Sequence, residues 1–237
     1  MNYPRLALLN AAREAADTRR NFERELDAEL DVFHVPSGEL PAGLAYDGFV
    51  VTGSSASVYW DREWIGELKS WVGDAVRAGL PALGVCFGHQ LLADVMGGNV
   101  KSMSEYELGY RTVTHDGSNQ LLDGVPETAT VFMSHSDHVT SEPPGATVFA
   151  RNEYGIQGFR KDHAFGVQFH PEYDMETART ITRGKDGEVS AKRIESVLDE
   201  IHEENYAKAR HAKALFDNFL GFVMETQRDR IGPPSSR

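Results

Sequence analysis

Short, largely apolar runs alternate with amphipathic segments over the first hundred residues, and this alternation constrains the fold more than any other feature of the 237-residue chain. The runs are Arg5–Asn10, Asp31–Val35, Asp47–Gly53 and Pro81–Cys86. Each is long enough for a strand and too short for a helix, and such runs suit strands buried on both faces. Between them, residues 13–30 place Phe22, Leu26 and Leu30 at i, i+4 and i+8, which predicts an amphipathic helix. Trp60, Trp64, Leu68, Trp71, Val72 and Val76 predict a second helix that stops at Gly79-Leu80-Pro81, with the tryptophans as core-facing anchors. A third is expected over Gly88–Met96. Strands alternating with helices mean a parallel sheet covered on both faces.

The pattern changes between about residues 106 and 170. Tyr110–His115, Thr130–Ser134, Ala146–Arg151, Ile156–Arg160 and Ala164–His170 read as strands joined by Pro/Gly turns, an antiparallel extension of the same sheet. The rest reads as helices. Ile194, Val197, Leu198 and Ile201 share one face, and Leu215, Phe216, Phe219 and Leu220 another. The expected organisation is a domain over 1–180 and a helical extension over 181–230 packed on it. The final Gly-Pro-Pro-Ser-Ser-Arg is expected to fray.

A formal net charge of −12 argues against a general nucleic-acid binder, which needs clustered Lys and Arg. No apolar stretch reaches the length of a membrane span, and the first residues carry no secretory signal. A single cysteine excludes an internal disulfide framework and a cysteine-based zinc cluster. A reducing cytoplasm is the expected compartment.

That cysteine lies in Gly84-Val85-Cys86-Phe87-Gly88, a G-x-C-x-G turn between an apolar strand and a helix. The pattern is a nucleophile elbow with sulfur in place of a hydroxyl. Glycines two before and two after the nucleophile keep the sharp turn free of clashes, and the helix N-terminus favours a thiolate. The pentapeptide alone fits a buried core cysteine equally well. A thiolate nucleophile needs a base, usually His oriented by a carboxylate. Phe165-Gly-Val-Gln-Phe-His170-Pro-Glu172 ends another apolar run with both. In an extended chain residues i and i+2 point the same way, so Glu172 can hold the His170 ring from behind.

With both motifs in view, the sequence resembles the class I (triad-type) glutamine amidotransferases over most of residues 5–175, in particular their GMP-synthase-like stand-alone members. Thr52–Ser57, Glu107–Gly109 and Met133–His138 add to the match. The resemblance implies an α/β fold with a flavodoxin-like, mostly parallel sheet, helices on both faces, an antiparallel extension and a helical C-terminal segment. It implies Cys86 as nucleophile, His170 as base and acid, and Glu172 as its orienter. Gly53, Ser54 and Phe87 would supply oxyanion donors, and Gln90, Ser134 and His135 would bind substrate. The implied reaction hydrolyses the glutamine side-chain amide and releases ammonia, with no cofactor or metal. The implied partners are glutamine or a γ-glutamyl compound and a separate ammonia-accepting synthetase, with neither nucleic acid nor membrane involved.

The match departs from pattern in two places. Thr52-Gly-Ser-Ser stands where GMP synthases usually have Gly-Gly-Pro, and the chain carries no pyrophosphatase-type loop or Walker motif, so it is not expected to make GMP alone. A stand-alone γ-glutamyl peptidase with the same triad is the alternative. Met133-Ser-His135-Ser-Asp137-His138 also resembles the H-x-H-x-D-H signature of binuclear metallohydrolases, with Met133 in place of the first His. A non-catalytic binding module is the remaining reading. His34, His89, His115, His163, His202 and His211 are expected at the surface or in packing, with His89 also placed to line the pocket.

Overall fold

The computed structural model describes residues 3–231. Among the described residues nine strands form one sheet in the order β2-β1-β3-β4-β9-β8-β7-β5-β6. The first four are β1 (Arg5–Asn10), β2 (Glu29–His34), β3 (Gly48–Val51) and β4 (Ala82–Val85). They run parallel with one another and with β9 (Ala164–Val167), which lies beside β4. This order is the flavodoxin-like one, and such sheets place their sites outside the carboxyl ends of the strands.

Alternate residues of these strands go to opposite faces. Leu6, Leu8, Val50, Leu83 and Val85 join one core, with Phe22, Phe216 and Phe219. Ala7, Leu9, Phe49, Val51 and Ala82 join the other, with Leu68, Val72 and Leu91. The first face is covered by α1 (Ala15–Glu25) and α7 (Ala214–Ile231), where Phe22 and Phe216 meet edge to face at 6.0 Å. The second is covered by α2 (Glu63–Arg77) and α3 (Phe87–Val95), where Trp71 meets Phe49 at 5.3 Å.

The remaining strands are β5 (Asn99–His115), β6 (Thr128–Ser141), β7 (Thr147–Asn152) and β8 (Gly155–Lys161), all antiparallel to their neighbours. Helices α4 (Met175–Arg183) and α5 (Ala191–Glu200) contribute Ala178 and Val197 to a third cluster with Leu108 and Phe132. A short α6 (Glu203–Ala209) leads into α7. Among the described residues no helix is long and apolar enough to cross a membrane.

Several expectations shift. The helix expected over 13–30 ends at Glu25, and Leu30 lies in β2, because Glu29 and Leu30 pair with Arg5 and Leu6. Trp60 is not a core anchor. It sits in a turn before α2, its N–H bonded to the Ser57 carbonyl, and is 46% exposed. Strands β5 and β6 are much longer than their apolar portions, since their outer halves pair through polar residues that no alternation marks. The terminal hexapeptide lies outside the described residues.

Candidate active site

Cys86 leaves β4 and enters α3 at φ 53° and ψ −102°. A non-glycine residue at positive φ carries strain, of order 1–3 kcal/mol, that its surroundings must hold. Here the Cys86 N–H donates to the Val167 carbonyl of β9 at 2.9 Å, and its own carbonyl accepts from the Gln90 N–H at 3.1 Å. The two flanking glycines are sterically required. A Cβ on Gly84 would lie 2.3 Å from the Gly88 oxygen, and one on Gly88 would lie 2.2 Å from the Val51 oxygen. The elbow is therefore the place where α3 seats directly on β3 and β4.

Beside it, His170 follows the end of β9, its N–H donating to the Phe132 carbonyl of β6 at 2.9 Å. The strand ends at Val167, three residues short of the expected His170, and Pro171-Glu172 form a turn where an extended chain was expected. The pairing survives this change. His170 Nδ1 lies 2.8 Å from Glu172 Oε1, with both side chains buried. Arg24 of α1 donates to the Glu172 carbonyl at 2.5 Å and to Asp174 Oδ2 at 2.8 Å, which pins the turn against the body of the protein. Tyr173 stacks on the imidazole at 4.1 Å and 14°. Burial works to push the imidazole down, but the Glu172 carboxylate and the Cys86 thiolate outweigh it and raise His170 to about 10.

Gly53, just past β3, completes the junction. A Cβ there would stand 2.9 Å from His170 Cε1 and 3.7 Å from Cys86 Cβ. The Phe87 N–H opens α3, where first-turn N–H groups have no intrahelical partner.

The pocket over Cys86 is walled by Ser54–Ser57, by Gln90, and by Ser134–Asp137 of β6. The Ser134 carbonyl lies 3.9 Å from the Cys86 sulfur. Gln90 donates to the Asp137 carbonyl at 2.9 Å and to Gln168 Oε1 at 3.1 Å, so its amide hydrogens brace the wall. His135 Nδ1 faces the Asp137 carbonyl at 2.9 Å. Its Nε2 is 2.8 Å from Glu107 Oε2 but is not aligned for a hydrogen bond.

The residues of the metallohydrolase-like motif turn to different partners. Asp137 Oδ1 accepts from the Tyr59 hydroxyl at 2.8 Å, and His138 Nδ1 faces the Tyr154 carbonyl at 3.2 Å. Among the described residues no group of three or more His, Cys, Asp or Glu is placed to hold a metal. His89 is fully buried in packing. Its ring lies against Phe159 at 5.0 Å and does not reach the pocket wall.

The glutamine amidotransferase class-I family matches the chain over residues 19–183, more than half its length. The chain belongs to that family. A GMP synthase [glutamine-hydrolyzing] of Thermomicrobium roseum is 38% identical over 130 residues, 54% of this chain and 24% of the synthase. Gamma-glutamyl peptidase 3 of Arabidopsis thaliana is 33% identical over 160 residues, 62% of this chain and 64% of the peptidase. The chain thus spans about a quarter of the one relative and just under two thirds of the other. A glutamine amidotransferase of Thermotoga maritima shares the fold with a TM-score of 0.79 at 22% identity, over 93% of this chain and 99% of that one. One from Methylobacillus flagellatus does so with 0.78, also at 22% identity, over 94% and 96%.

Within this family member, the structure adds pocket residues that the sequence did not disclose. Between Ser102 and Glu107 the β5–β6 register slips, and the bulge brings Tyr106 into the pocket, its hydroxyl 3.4 Å from Ser134 Oγ. Lys185 and Glu188 enter from the turn after α4. Arg24 and Tyr173 support His170 from outside the pocket. Tyr173 adjoins the His-Pro-Glu motif and could have been found by proximity. The others carry no local signal.

Proposed function

We propose that the protein hydrolyses the side-chain amide of glutamine through Cys86, His170 and Glu172. The carrying observation is the strained Cys86 at an elbow beside a His170–Glu172 pair held at 2.8 Å. In this reading the Cys86 thiolate attacks the γ-carboxamide carbon, and its electron pair forms the C–S bond as the carbonyl becomes an oxyanion. Backbone N–H groups of Gly53, Ser54 and Phe87 stabilise that charge, a contribution of about 3–4 kcal/mol per well-placed donor in comparable sites. His170 gives its proton to the departing nitrogen, the C–N bond breaks, and ammonia leaves behind a glutamyl thioester. His170 then takes a proton from water, the hydroxide adds to the thioester carbon, and glutamate departs as the thiolate is restored. Glu172 keeps the ring oriented through both steps. Gln90, Ser134 and His135 form the substrate wall.

The ammonia is handed to a separate synthetase, as the similarity to glutamine-hydrolysing GMP synthases supports. The similarity to a γ-glutamyl peptidase favours a second reading, with an amino-acid amine as the leaving group. The triad chemistry is the same, since His170 protonates either nitrogen. Side-by-side turnover of glutamine and γ-glutamyl dipeptides separates them. A dipeptide preference above about a hundredfold, roughly 2.7 kcal/mol in the transition state, decides for the peptidase. Cys86→Ser should abolish both activities, and an electrophilic glutamine analogue should label Cys86 stoichiometrically. Intact turnover in Cys86→Ser would overturn the triad.

A further inference from the structure

Lys185 is the one lysine or arginine lining the Cys86 pocket among the described residues. It lies two positions beyond the end of the family match, in the turn between α4 and α5. That turn is well held. The Lys185 N–H donates to the Thr182 carbonyl at 3.2 Å, and the Lys185 carbonyl accepts from Glu188 and Val189 at 3.1 and 3.0 Å. Gly187 supplies the positive φ of 83° that the reversal needs, and Val189 packs into the cluster that includes Tyr106 and Tyr173.

The side chain is directed by its surroundings. Its ammonium stands 4.9 Å from the centroid of the Tyr106 ring and 3.5 Å from Glu188 Oε1. The side chain is only 13% exposed, whereas that of Glu188 is 54% exposed. Burial works to lower the Lys185 ammonium, but Tyr106 and Glu188 outweigh it and raise it, so it stays charged at neutral pH. A largely buried cation with one solvent-screened partner bears a desolvation cost that an anion in the pocket would offset. Asp137 of β6 also lines the pocket, buried, its carboxylate held by Tyr59. The pocket lining therefore carries one cation, Lys185, and two carboxylates, the exposed Glu188 beside it and the buried Asp137 on β6, so it offers charges of both signs to an amino-acid zwitterion.

We propose that Lys185 anchors the α-carboxylate of a γ-glutamyl substrate in the Cys86 pocket. This rests on the amidotransferase reading above. Every such substrate carries an α-carboxylate and an α-ammonium at the end remote from the scissile amide. The contacts run in that order: Cys86 to Ser134, Ser134 to Tyr106, Tyr106 to Lys185. Lys185 thus meets the remote end while Cys86 meets the amide. Because it does not touch the reacting atoms, it acts on binding and leaves the chemical step alone.

The test compares the full-length wild type with Lys185→Met and Lys185→Arg on glutamine, on glutamine α-carboxamide, and on γ-glutamylglycine. Wild type should prefer glutamine over its α-carboxamide by about tenfold or more, the range expected for one charged hydrogen bond. Lys185→Met should lose that preference through KM, with kcat on glutamine within about twofold and with Lys185→Arg recovering most of the affinity. Iodoacetamide should alkylate Cys86 at the wild-type rate in both variants, which shows the elbow intact. An equal loss on glutamine and its α-carboxamide would make Lys185 merely structural and overturn the anchor. A loss confined to γ-glutamylglycine would move the contact to the leaving-group carboxylate and overturn the α-carboxylate assignment. Unchanged kinetics in an active Lys185→Met enzyme overturns the anchor alone. A wild type inactive on glutamine and on γ-glutamylglycine overturns the amidotransferase reading and the anchor with it.

Discussion

Gly53 abuts the imidazole of His170 so closely that a Cβ at residue 53 would stand 2.9 Å from the ring's Cε1. The contact joins the end of β3 to the turn after β9 and leaves the ring one position beside Cys86. Gly53→Ala is therefore predicted to displace His170, since its other near contact, Cys86 Cβ at 3.7 Å, is of ordinary length. Activity should fall about a hundredfold, the scale of a reacting group misplaced by roughly 1 Å. Unfolding by denaturant should show a loss of about 1–3 kcal/mol, the range for crowding a buried side chain. Full activity in this variant would show that the ring can move without consequence.

The His170–Glu172 pair predicts a pH dependence of stability with a defined sign. His170 is raised from 6.5 to about 10 in the fold. Its contribution is fully present below pH 6.5 and is lost as pH rises through about 10, because the unfolded chain releases the proton first. Denaturant midpoints should fall across this window in wild type and fall less steeply in His170→Gln. Glu172→Gln should flatten the same slope and lower turnover by at least about a hundredfold, since the ring loses its orienting carboxylate. A wild-type stability that rises between pH 6.5 and 10 would contradict the pairing.

His89 predicts the opposite trend at acid pH. Burial pushes it down to about 3. It stays neutral in the fold while the unfolded chain takes up a proton, so stability present above pH 6.5 is lost as pH falls towards 3. One such proton gives a slope of at most about 1.4 kcal/mol per pH unit. His89→Gln should remove that part of the slope and leave stability at pH 8 changed only by packing. Equal acid slopes in the two proteins would show that His89 finds a proton acceptor in the fold.

Phe216 of α7 meets Phe22 of α1 on one face of the sheet, and both are fully buried. Phe216→Ala should cost about 3–5 kcal/mol, the range for truncating a core aromatic. Limited proteolysis should then cut the helical segment near α6 and α7, which wild type protects. A loss below about 1 kcal/mol would mean that α7 is a detachable appendage.

The elements that could be read from the chain share a cause. Parallel strands buried on both faces must be apolar along their whole length, so Arg5–Asn10 and Pro81–Cys86 announce themselves. The G-x-C-x-G elbow is equally legible, because a Cβ on either glycine would collide with backbone. Two local motifs place Cys86 and His170, and the parallel order of β4 and β9 brings them together. Where only one face of a strand is buried the reading weakens. The polar outer halves of β5 and β6 gave no periodic signal, and Trp60 satisfied a helical spacing without belonging to the helix.

The α/β class, the strained elbow and the His-Pro-Glu partner are all readable along the chain, because each depends on sterics or spacing within a few residues. Long-range packing is what sets Arg24 against the Glu172 turn, brings Tyr106 into the pocket through a bulge, and adds Lys185 to the same lining as Asp137. Those placements depend on strand register and on a turn formed far along the chain. A residue whose position is set by long-range pairing leaves no periodicity, motif or neighbour in its own segment by which it could be found.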